Sequence, residues 1–225
     1  MRVLVVAATQ AEVSPLVAAL HGAAIVGPRV TRYQGAGHDI DVLISGVGMV
    51  ATATWCSRLL SAERFDVALN LGVCGSFKPE LVPGSVVHVV SDRLAELGAE
   101  DGDGFLTLQE MRLLGDDEFP FTGGRLVNVS PPDLGPLAGL PAVDGITVNT
   151  VHGNDHSIAL VTKRFSPDVE SMEGAAFMYA SLVQGVPFAQ VRAVSNVVER
   201  RNRARWKLDD AIANLGAVAR RMLES

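Results

Sequence analysis

Short runs of apolar residues alternate along the chain with longer stretches in which apolar residues recur every three or four positions. The runs predict buried strands, and the longer stretches predict helices. The predicted strands cover 3–8, 41–45, 67–71, 85–92, 145–151 and 187–195, and the predicted helices cover about 11–20, 50–63, 172–184 and 208–223. Apolar strands that alternate with amphipathic helices are typical of α/β proteins, in which helices cover both faces of a mostly parallel sheet.

Residues 93–143 are the least regular part of the chain, with glycine-rich and proline-rich punctuation. We interpret them as loops and short elements inserted into a domain, because a linker there would leave two halves without a complete core. At about 150 residues per domain, a chain of 225 residues fits one large domain better than two. We therefore expect a single α/β domain over 1–225.

Composition and charge narrow the class of protein. Apolar residues make up 48% of the chain, which suffices for a sizeable core and excludes a disordered protein. The formal net charge of −6 argues against nucleic acid as a partner. No apolar run is long enough to span a membrane or form a secretory leader. Cys56 and Cys74 are too few for a disulfide framework, so we expect free thiols in the cytoplasm. His152 and His156 lack a third ligand, so no metal is expected.

Two glycine-rich segments follow predicted strands, at the sheet edge where ligands bind in α/β proteins. The first, SGVGMVA at 45–51, matches the dinucleotide pattern G-x-G-x-x-A, but Asp66 precedes the next strand instead of ending it. We therefore favour a backbone turn that contacts an anion or a ribose, with Gly48 in it, and keep NAD binding and a purely structural turn as alternatives. The second, LGVCGSF at 71–77, is predicted as a similar turn in which Cys74 is structural.

Acidic side chains and a basic segment supply the candidate ligand groups. Glu12 lies at the start of the first predicted helix. Glu170 and Glu173 are three residues apart, so both could share one helix face if that helix begins early. Glu173 has small and apolar neighbours, so it requires a bound diol or a buried partner. The arginine-rich segment 192–206 follows a strand and suits either an anionic substrate group or a solvated surface.

Five of these segments, in this order, resemble the nucleoside phosphorylase and nucleosidase superfamily over nearly the whole chain. They are A-E-V after the first strand, S-G-V-G-M-V, N-L-G-V-C-G, V-E-S-M-E-G-A-A and R-A-V-S-N. The resemblance implies a mixed, mostly parallel and partly curled sheet flanked by helices, assembled as a homodimer or larger homo-oligomer. It also implies cleavage of the N-glycosidic bond of a purine nucleoside, with no cofactor.

The resemblance also implies roles for matching residues. Glu12 is similar by position to a glutamate that activates the attacking water, and Glu173, after Met172, to one that holds the ribose hydroxyls. Asn196 matches the residue that meets the purine, where enzymes that cleave methylthioadenosine carry aspartate. Those enzymes often carry serine where this chain has Val73, so a hydrogen-bond donor is lost. The positions matched to the base-binding segment are Thr150, Val151, His152 and Gly153.

Within the superfamily, residues 195–206 followed by A-I-A-N-L are most similar to the futalosine hydrolases of the alternative menaquinone pathway. That similarity implies hydrolysis of futalosine to hypoxanthine and dehypoxanthine futalosine. Arg201 and Arg203 are then candidates to contact the carboxylate of the substrate. A phosphorylase is the alternative within the superfamily. Its phosphate clamp typically has an arginine in the first strand–helix turn, where this chain has Glu12, and a carboxylate repels phosphate.

Overall fold

Strands and helices alternate along most of the chain in the computed structural model, which describes residues 1–102 and 104–225. The strands are β1 (Arg2–Ala7), β2 (His21–Gly27), β3 (Val30–Gly35), β4 (His38–Ile44), β5 (Val67–Ser76), β6 (Val86–Asp92), β7 (Gly98–Asp101), β8 (Gly104–Thr107), β9 (Leu126–Val127), β10 (Ala142–Thr147), β11 (Val169–Ser171) and β12 (Phe188–Val197). The helices are α1 (Gln10–Val17), α2 (Met49–Ala62), α3 (Asp155–Phe165), α4 (Gly174–Gln184) and α5 (Leu208–Leu223).

One mixed sheet organises these elements, in the order β11-β10-β6-β12-β5-β1-β4-β3-β2, with β9 beside β6. The central strand β5 pairs in parallel with β1 and β12. It also pairs antiparallel with β11, the strand at the far end of the order. Strands β5, β12, β6, β10 and β11 therefore close into a ring, which curls this half of the sheet. The predicted α/β class, with a mixed and partly curled sheet flanked by helices, is confirmed.

Two apolar clusters hold the helices against the sheet. Val3 and Val5 of β1 face one cluster, which contains residues of α1 and α5, and Leu4 and Val6 face the other, which contains residues of α2 and α4. This alternation follows from the two-residue period of a strand. Phe177 of α4 is fully buried in the second cluster, and burying a side chain of this size stabilises the fold by roughly 1.5–3 kcal/mol.

The predicted strands and helices are present, but three boundaries near the carboxyl ends of the strands were wrong. The segment predicted as a glycine turn at 71–77 continues β5 as far as Ser76, because it pairs with β12 along this length. Strand β10 ends at Thr147, so 148–154 is a loop. Helix α4 begins at Gly174, which leaves Glu170 in β11, and the two glutamates do not share a helix face.

The irregular segment consists of loops and short elements, as predicted. It contains the β7–β8 hairpin, β9 and a 3₁₀ helix over Gly135–Gly139. The sequence did not predict the antiparallel strands β2 and β3 or helix α3. None of the helices in the part of the chain that the structure describes is long and apolar enough to cross a membrane.

Candidate active site

A cavity of about 360 Å³ opens at the carboxyl ends of β1, β5 and β12. Parallel strands end at the same sheet edge, so side chains distant in sequence meet there. The cavity is bordered by the turn after β1, the end of β5, the loop after β10, the β11–α4 junction, the end of β12 and the start of α5. None of the described residues of 93–143 lines it.

Glu12 lies in the first turn of α1, where backbone N–H groups lack helical partners. Its Oε2 atom accepts hydrogen bonds from the Thr9 backbone N–H at 2.9 Å and from Thr9 Oγ1 at 3.0 Å. Its Oε1 atom accepts a third, from the Val73 backbone N–H at 3.1 Å. Thus the side chain of Val73 cannot donate, but its backbone fixes the Glu12 carboxylate. Both residues line the cavity.

Glu173 stands directly before α4 and lines the same cavity. Its Oε1 atom accepts the Gly48 backbone N–H at 3.0 Å, and its Oε2 atom lies 3.6 Å from Arg192 Nη1. Burial raises the pKa of Glu173, while the Arg192 charge and the Gly48 N–H act in the opposite direction. Gly48 has a φ of 96°, which favours glycine. The predicted glycine turn thus contacts a carboxylate, and Gly48 itself does not line the cavity.

Arg192 is a site residue that the sequence analysis did not distinguish from the other arginines. It is fully buried in β12. A Cβ atom at Gly72 would collide with Arg192 Nη1 and stand 2.9 Å from Glu12 Oε1. Glycine at this position therefore leaves the space in which the guanidinium and the Glu12 carboxylate approach each other. The available signal was a charged residue inside the otherwise apolar run V-R-A-V, since a buried charge requires partners.

Asn196, Glu170 and His152 form another part of the cavity wall. Asn196 Oδ1 accepts a hydrogen bond from Ser195 Oγ at 2.8 Å, and Asn196 Nδ2 donates to the Val197 carbonyl at 2.9 Å. Glu170 Oε2 lies 2.7 Å from His152 Nδ1, and Glu170 Oε1 accepts the His152 backbone N–H at 3.1 Å. The contact between Glu170 and His152 was not predicted, because the two residues are 18 positions apart and lie in different elements.

Some of the remaining residues predicted to contact the substrate line the cavity, and others lie outside it. Val151 and Met172 line the cavity. Thr150 does not, and it is exposed, with its backbone N–H 3.4 Å from a carboxylate oxygen of Glu96. Gly153 lies outside the lining too, but its carbonyl accepts the Arg201 backbone N–H at 3.2 Å. The loop 150–153 therefore holds Arg201 in place as well as forming part of the wall.

The end of the cavity near α5 combines apolar side chains with an arginine. Trp206, Leu208 and Ile212 line it together with Arg201. The Arg201 guanidinium lies 5.4 Å from the centre of the Trp206 ring, and the Arg203 guanidinium lies 5.9 Å from it. Arg201 lines the cavity and Arg203 does not. Such an arrangement suits an aromatic or aliphatic group that carries a negative charge.

The two cysteines are buried. Cys74 lines the cavity, but burial raises the pKa of its thiol to about 12, which leaves little of the reactive thiolate at neutral pH. Burial likewise raises the pKa of Cys56 to about 12. Over residues 1–102 and 104–225, no three histidine, cysteine or acidic side chains converge in a way that could hold a metal ion.

The sequence model of the phosphorylase superfamily matches residues 2–224. The chain belongs to this superfamily. Among its curated relatives, the futalosine hydrolase of Streptomyces coelicolor is 32% identical over 181 residues, which span 78% of this chain and 74% of that protein. The futalosine hydrolase of Acidothermus cellulolyticus is 31% identical over an alignment that covers 95% of this chain and 90% of that protein.

A solved structure has the same fold as this chain. The futalosine hydrolase of Helicobacter pylori superposes with a TM-score of 0.81 over 100% of this chain and 97% of its own, at 15% sequence identity. At this identity the likeness establishes the shared fold. The match of the superfamily model to residues 2–224 confirms the superfamily that the sequence motifs predicted.

Proposed function

We propose that this superfamily member is a nucleosidase that hydrolyses the N-glycosidic bond of futalosine, with hypoxanthine and dehypoxanthine futalosine as products. The observation that carries the proposal is the pair of carboxylates, Glu12 and Glu173, that face one cavity in a chain related to futalosine hydrolases. A carboxylate in the first strand–helix turn is suited to activate water.

In the proposed reaction, Glu12 removes a proton from a water molecule as the water oxygen bonds to the anomeric carbon. The bond between that carbon and the purine nitrogen breaks, and its electron pair leaves with the purine. Positive charge develops on the ribose and negative charge on the base. A proton from solvent then neutralises the base, and Glu12 releases its own proton to solvent, which restores the carboxylate. General-base catalysis of this kind contributes about 100- to 10,000-fold to the rate.

Glu173 is proposed to accept hydrogen bonds from the ribose hydroxyls, which fixes the sugar and favours the developing cation. This role requires the ionised carboxylate. Burial opposes ionisation and raises the pKa of Glu173, so a nearby cation is needed. The buried Arg192 guanidinium, 3.6 Å away, supplies that charge.

Asn196 is proposed to select the purine. Hypoxanthine presents an acceptor at O6, and after protonation its N7 is a donor. Asn196 Nδ2 already donates one hydrogen to the Val197 carbonyl, and its second hydrogen is free to meet O6. Asn196 Oδ1 accepts from Ser195 Oγ and has a second lone pair for N7–H. In this proposal Val151 and His152 pack beside the base.

The cavity end near α5 is proposed to take the part of futalosine that distinguishes it from inosine. That part carries a benzoate, which combines an aromatic ring with a carboxylate. Trp206, Leu208 and Ile212 offer apolar surface for the ring, and Arg201 offers a guanidinium for the anion. Arg203 is a second candidate, since its guanidinium stacks on the same Trp206 ring.

A phosphorylase needs cationic groups where phosphate would attack. In the cavity lining that the structure describes, Arg201 is the only arginine, and it stacks on Trp206. The Glu12 and Glu173 carboxylates would repel phosphate, which favours hydrolysis. The dinucleotide alternative is disfavoured too, because the Gly48 N–H is engaged by Glu173.

We further propose that the protein works in the cytoplasm, without a cofactor or nucleic acid, in the alternative menaquinone pathway. The net charge of −6 and the buried free thiols support this placement. We also propose a single domain over 1–225 that assembles as a homodimer or larger homo-oligomer. Exposed apolar residues on the packed helices α2 and α4 support assembly, among them Val50 (79% exposed) and Val183 (48% exposed).

A substrate panel tests the proposal. The protein is incubated with futalosine, inosine and methylthioadenosine, with and without phosphate, and the released base is identified by chromatography. We expect fast release of hypoxanthine from futalosine at a rate independent of phosphate. Release that requires phosphate would indicate a phosphorylase, and quenching of NADH fluorescence on titration would indicate a dinucleotide-binding protein.

A further inference from the structure

A chain of buried polar side chains runs from β6 to the active site and includes two residues that the proposed mechanism does not use. Asp92 ends β6, and its Oδ2 atom accepts a hydrogen bond from Gln190 Nε2 at 3.0 Å. Gln190 Oε1 in turn accepts from Arg192 Nε at 3.1 Å. Arg192 Nη1 then lies 3.6 Å from Glu173 Oε2. Asp92, Gln190 and Arg192 are each 1% exposed.

The Asp92 carboxylate and the Arg192 guanidinium together fix the orientation of the Gln190 amide between them, because the first only accepts hydrogen bonds and the second only donates them. Asp92 Oδ1 accepts from Thr147 Oγ1 at 3.0 Å and from the Arg93 backbone N–H at 2.8 Å. An ionised carboxylate only accepts hydrogen bonds. Gln190 must therefore turn its amide nitrogen toward Asp92, which leaves its oxygen toward Arg192. Burial raises the pKa of Asp92 to about 6, so the group is still ionised at neutral pH.

Arg192 is held by this oxygen and by one other side chain. Its Nη2 atom donates to Asn70 Oδ1, and Asn70 Nδ2 donates to the Val6 carbonyl at 3.1 Å. With Nε and Nη2 bound in this way, the planar guanidinium has one orientation, and Nη1 is the nitrogen nearest to Glu173. A wrong orientation of the Gln190 amide would place two donors against each other and displace the guanidinium.

The same network contacts the start of α4, which follows Glu173. A Cβ atom at Gly174 would collide with Asp92 Oδ2 and Gln190 Oε1. Thr147 Oγ1, which donates to Asp92, accepts the Ala175 backbone N–H at 2.7 Å. Thus Asp92 is linked to Glu173 through Arg192 and also through the first turn of this helix.

We propose that Asp92 and Gln190 are positioning residues for the active site: Asp92 orients the Gln190 amide, and the Gln190 oxygen holds the Arg192 guanidinium beside Glu173. The inference rests on the proposed hydrolysis, in which Glu173 must be ionised. The charged groups that face Glu173 are Arg192 from β12, which lowers its pKa, and Glu12 from α1, which raises it.

The substitution Asp92→Asn tests this inference with almost no change in shape. The Arg93 backbone N–H cannot turn, so the new side chain keeps its oxygen there and directs its NH₂ group at Gln190. The Gln190 amide then has a donor on both sides, so in either orientation one of its two contacts places donor against donor and the hold on Arg192 Nε is weakened. We expect kcat/KM at neutral pH to fall about 10- to 100-fold, as for one lost hydrogen bond to a charged group. The acid limb of the pH profile should move up by about one pH unit, because Glu173 becomes harder to ionise.

The double variant Asp92→Asn with Gln190→Glu restores the bonding pattern with the same net charge. Its new glutamate accepts from the asparagine NH₂ on one side and from Arg192 Nε on the other. We expect most of the activity and the acid limb of the wild type to return. Asp41→Asn is the matched control, because Asp41 is equally buried, pairs with Arg2 and Arg32, and does not line the cavity. It should lower the melting temperature without moving the acid limb.

Two measurements keep the outcome clear if Asp92→Asn folds poorly or if futalosine is not the substrate. Gln190→Met leaves Asp92 intact and removes the acceptor of Arg192 Nε, so it should shift the acid limb in the same direction. Hydrogen exchange of the Arg192 Nε–H, followed by NMR on labelled protein without substrate, should be slow in the wild type and the double variant and fast in Asp92→Asn. Equal exchange of the Arg192 Nε–H in the wild type, Asp92→Asn and the double variant would overturn the inference. An unmoved acid limb in both Asp92→Asn and Gln190→Met would overturn it too. An inactive wild type with the expected exchange pattern would instead count against the proposed hydrolysis alone.

Discussion

Replacing Glu12 by glutamine removes the proposed base and keeps the shape of the side chain. The structure shows that this carboxylate also stabilises the fold, because its two oxygens accept the backbone N–H groups of Thr9 and Val73. An amide has one oxygen, so one of these N–H groups would face an NH₂ group. A buried donor left without a partner costs about 1–3 kcal/mol.

For a chain of this size, each kcal/mol lowers the melting temperature by about 2–4 °C, so Glu12→Gln should melt roughly 2–12 °C below the wild type. The loss of kcat should be about 100- to 10,000-fold, which is about 2.7–5.4 kcal/mol of activation free energy, because the base is absent. The assay measures kcat on futalosine well below the melting temperature of the variant, so that the folded fraction does not affect the comparison.

The chain provides a matched control in a second T-x-x-E segment. Glu110 Oε2 accepts from the Thr107 backbone N–H at 2.7 Å and from Thr107 Oγ1 at 3.0 Å, but Glu110 is exposed and does not line the cavity. Glu110→Gln should keep wild-type kcat. If Glu12→Gln retains more than about a tenth of wild-type kcat, the base is another residue.

Three further outcomes follow from the site geometry. Arg201→Ala should raise KM for futalosine about tenfold with little effect on inosine, as expected for one lost ion pair, and Arg203→Ala should have a smaller effect. Arg200→Ala is the control. Equal losses on both substrates would mean that Arg201 and Arg203 only stabilise the loop. Asn196→Asp should lower kcat/KM on futalosine about 10- to 100-fold, since its carboxylate would face both O6 and the Val197 carbonyl. Its activity on the 6-amino analogue relative to futalosine should rise. An unchanged ratio of kcat/KM for these two substrates would remove Asn196 from the base site. Iodoacetamide at neutral pH should leave turnover intact, because the pKa of Cys74 is raised to about 12, whereas inactivation by alkylation of Cys74 would contradict a structural thiol.

Apolar periodicity identified the elements that are buried, and it did not identify those that are exposed. β1 and α5 were predictable because β1 is buried almost throughout and α5 has one apolar face. The edge strand β2 is exposed along nearly all of its length, so it has no alternating pattern. Helix α3 has Val161 as its one buried residue, and its clearest signal is the N-cap Asn154, which accepts the Ser157 N–H at 2.9 Å.

Glu12 and Glu173 were candidates from the sequence because each has a local signature and each matches a motif of the superfamily. Glu12 opens a helix after a strand, and Glu173 stands among small residues. The contacts between elements were not predictable from local sequence. The apolar run around Arg192 indicates that it is buried, but only the register of β12 against β5 places it near Glu12. The Glu170–His152 pair depends on the loop after β10, and the sequence predicted a strand, up to 151, where this loop begins.

Transfer of an oxygen atom from water to the anomeric carbon is the central claim, and isotope labelling tests it directly. Futalosine is turned over in water enriched in heavy oxygen and containing phosphate, and the sugar product is analysed by mass spectrometry. As a control, product is formed in ordinary water and then moved to heavy water, which measures any later exchange of the anomeric oxygen with solvent. The account predicts one heavy oxygen in dehypoxanthine futalosine, unlabelled hypoxanthine, and a rate unaffected by phosphate. A sugar 1-phosphate product without heavy oxygen would contradict it and assign the chain to the phosphorylases.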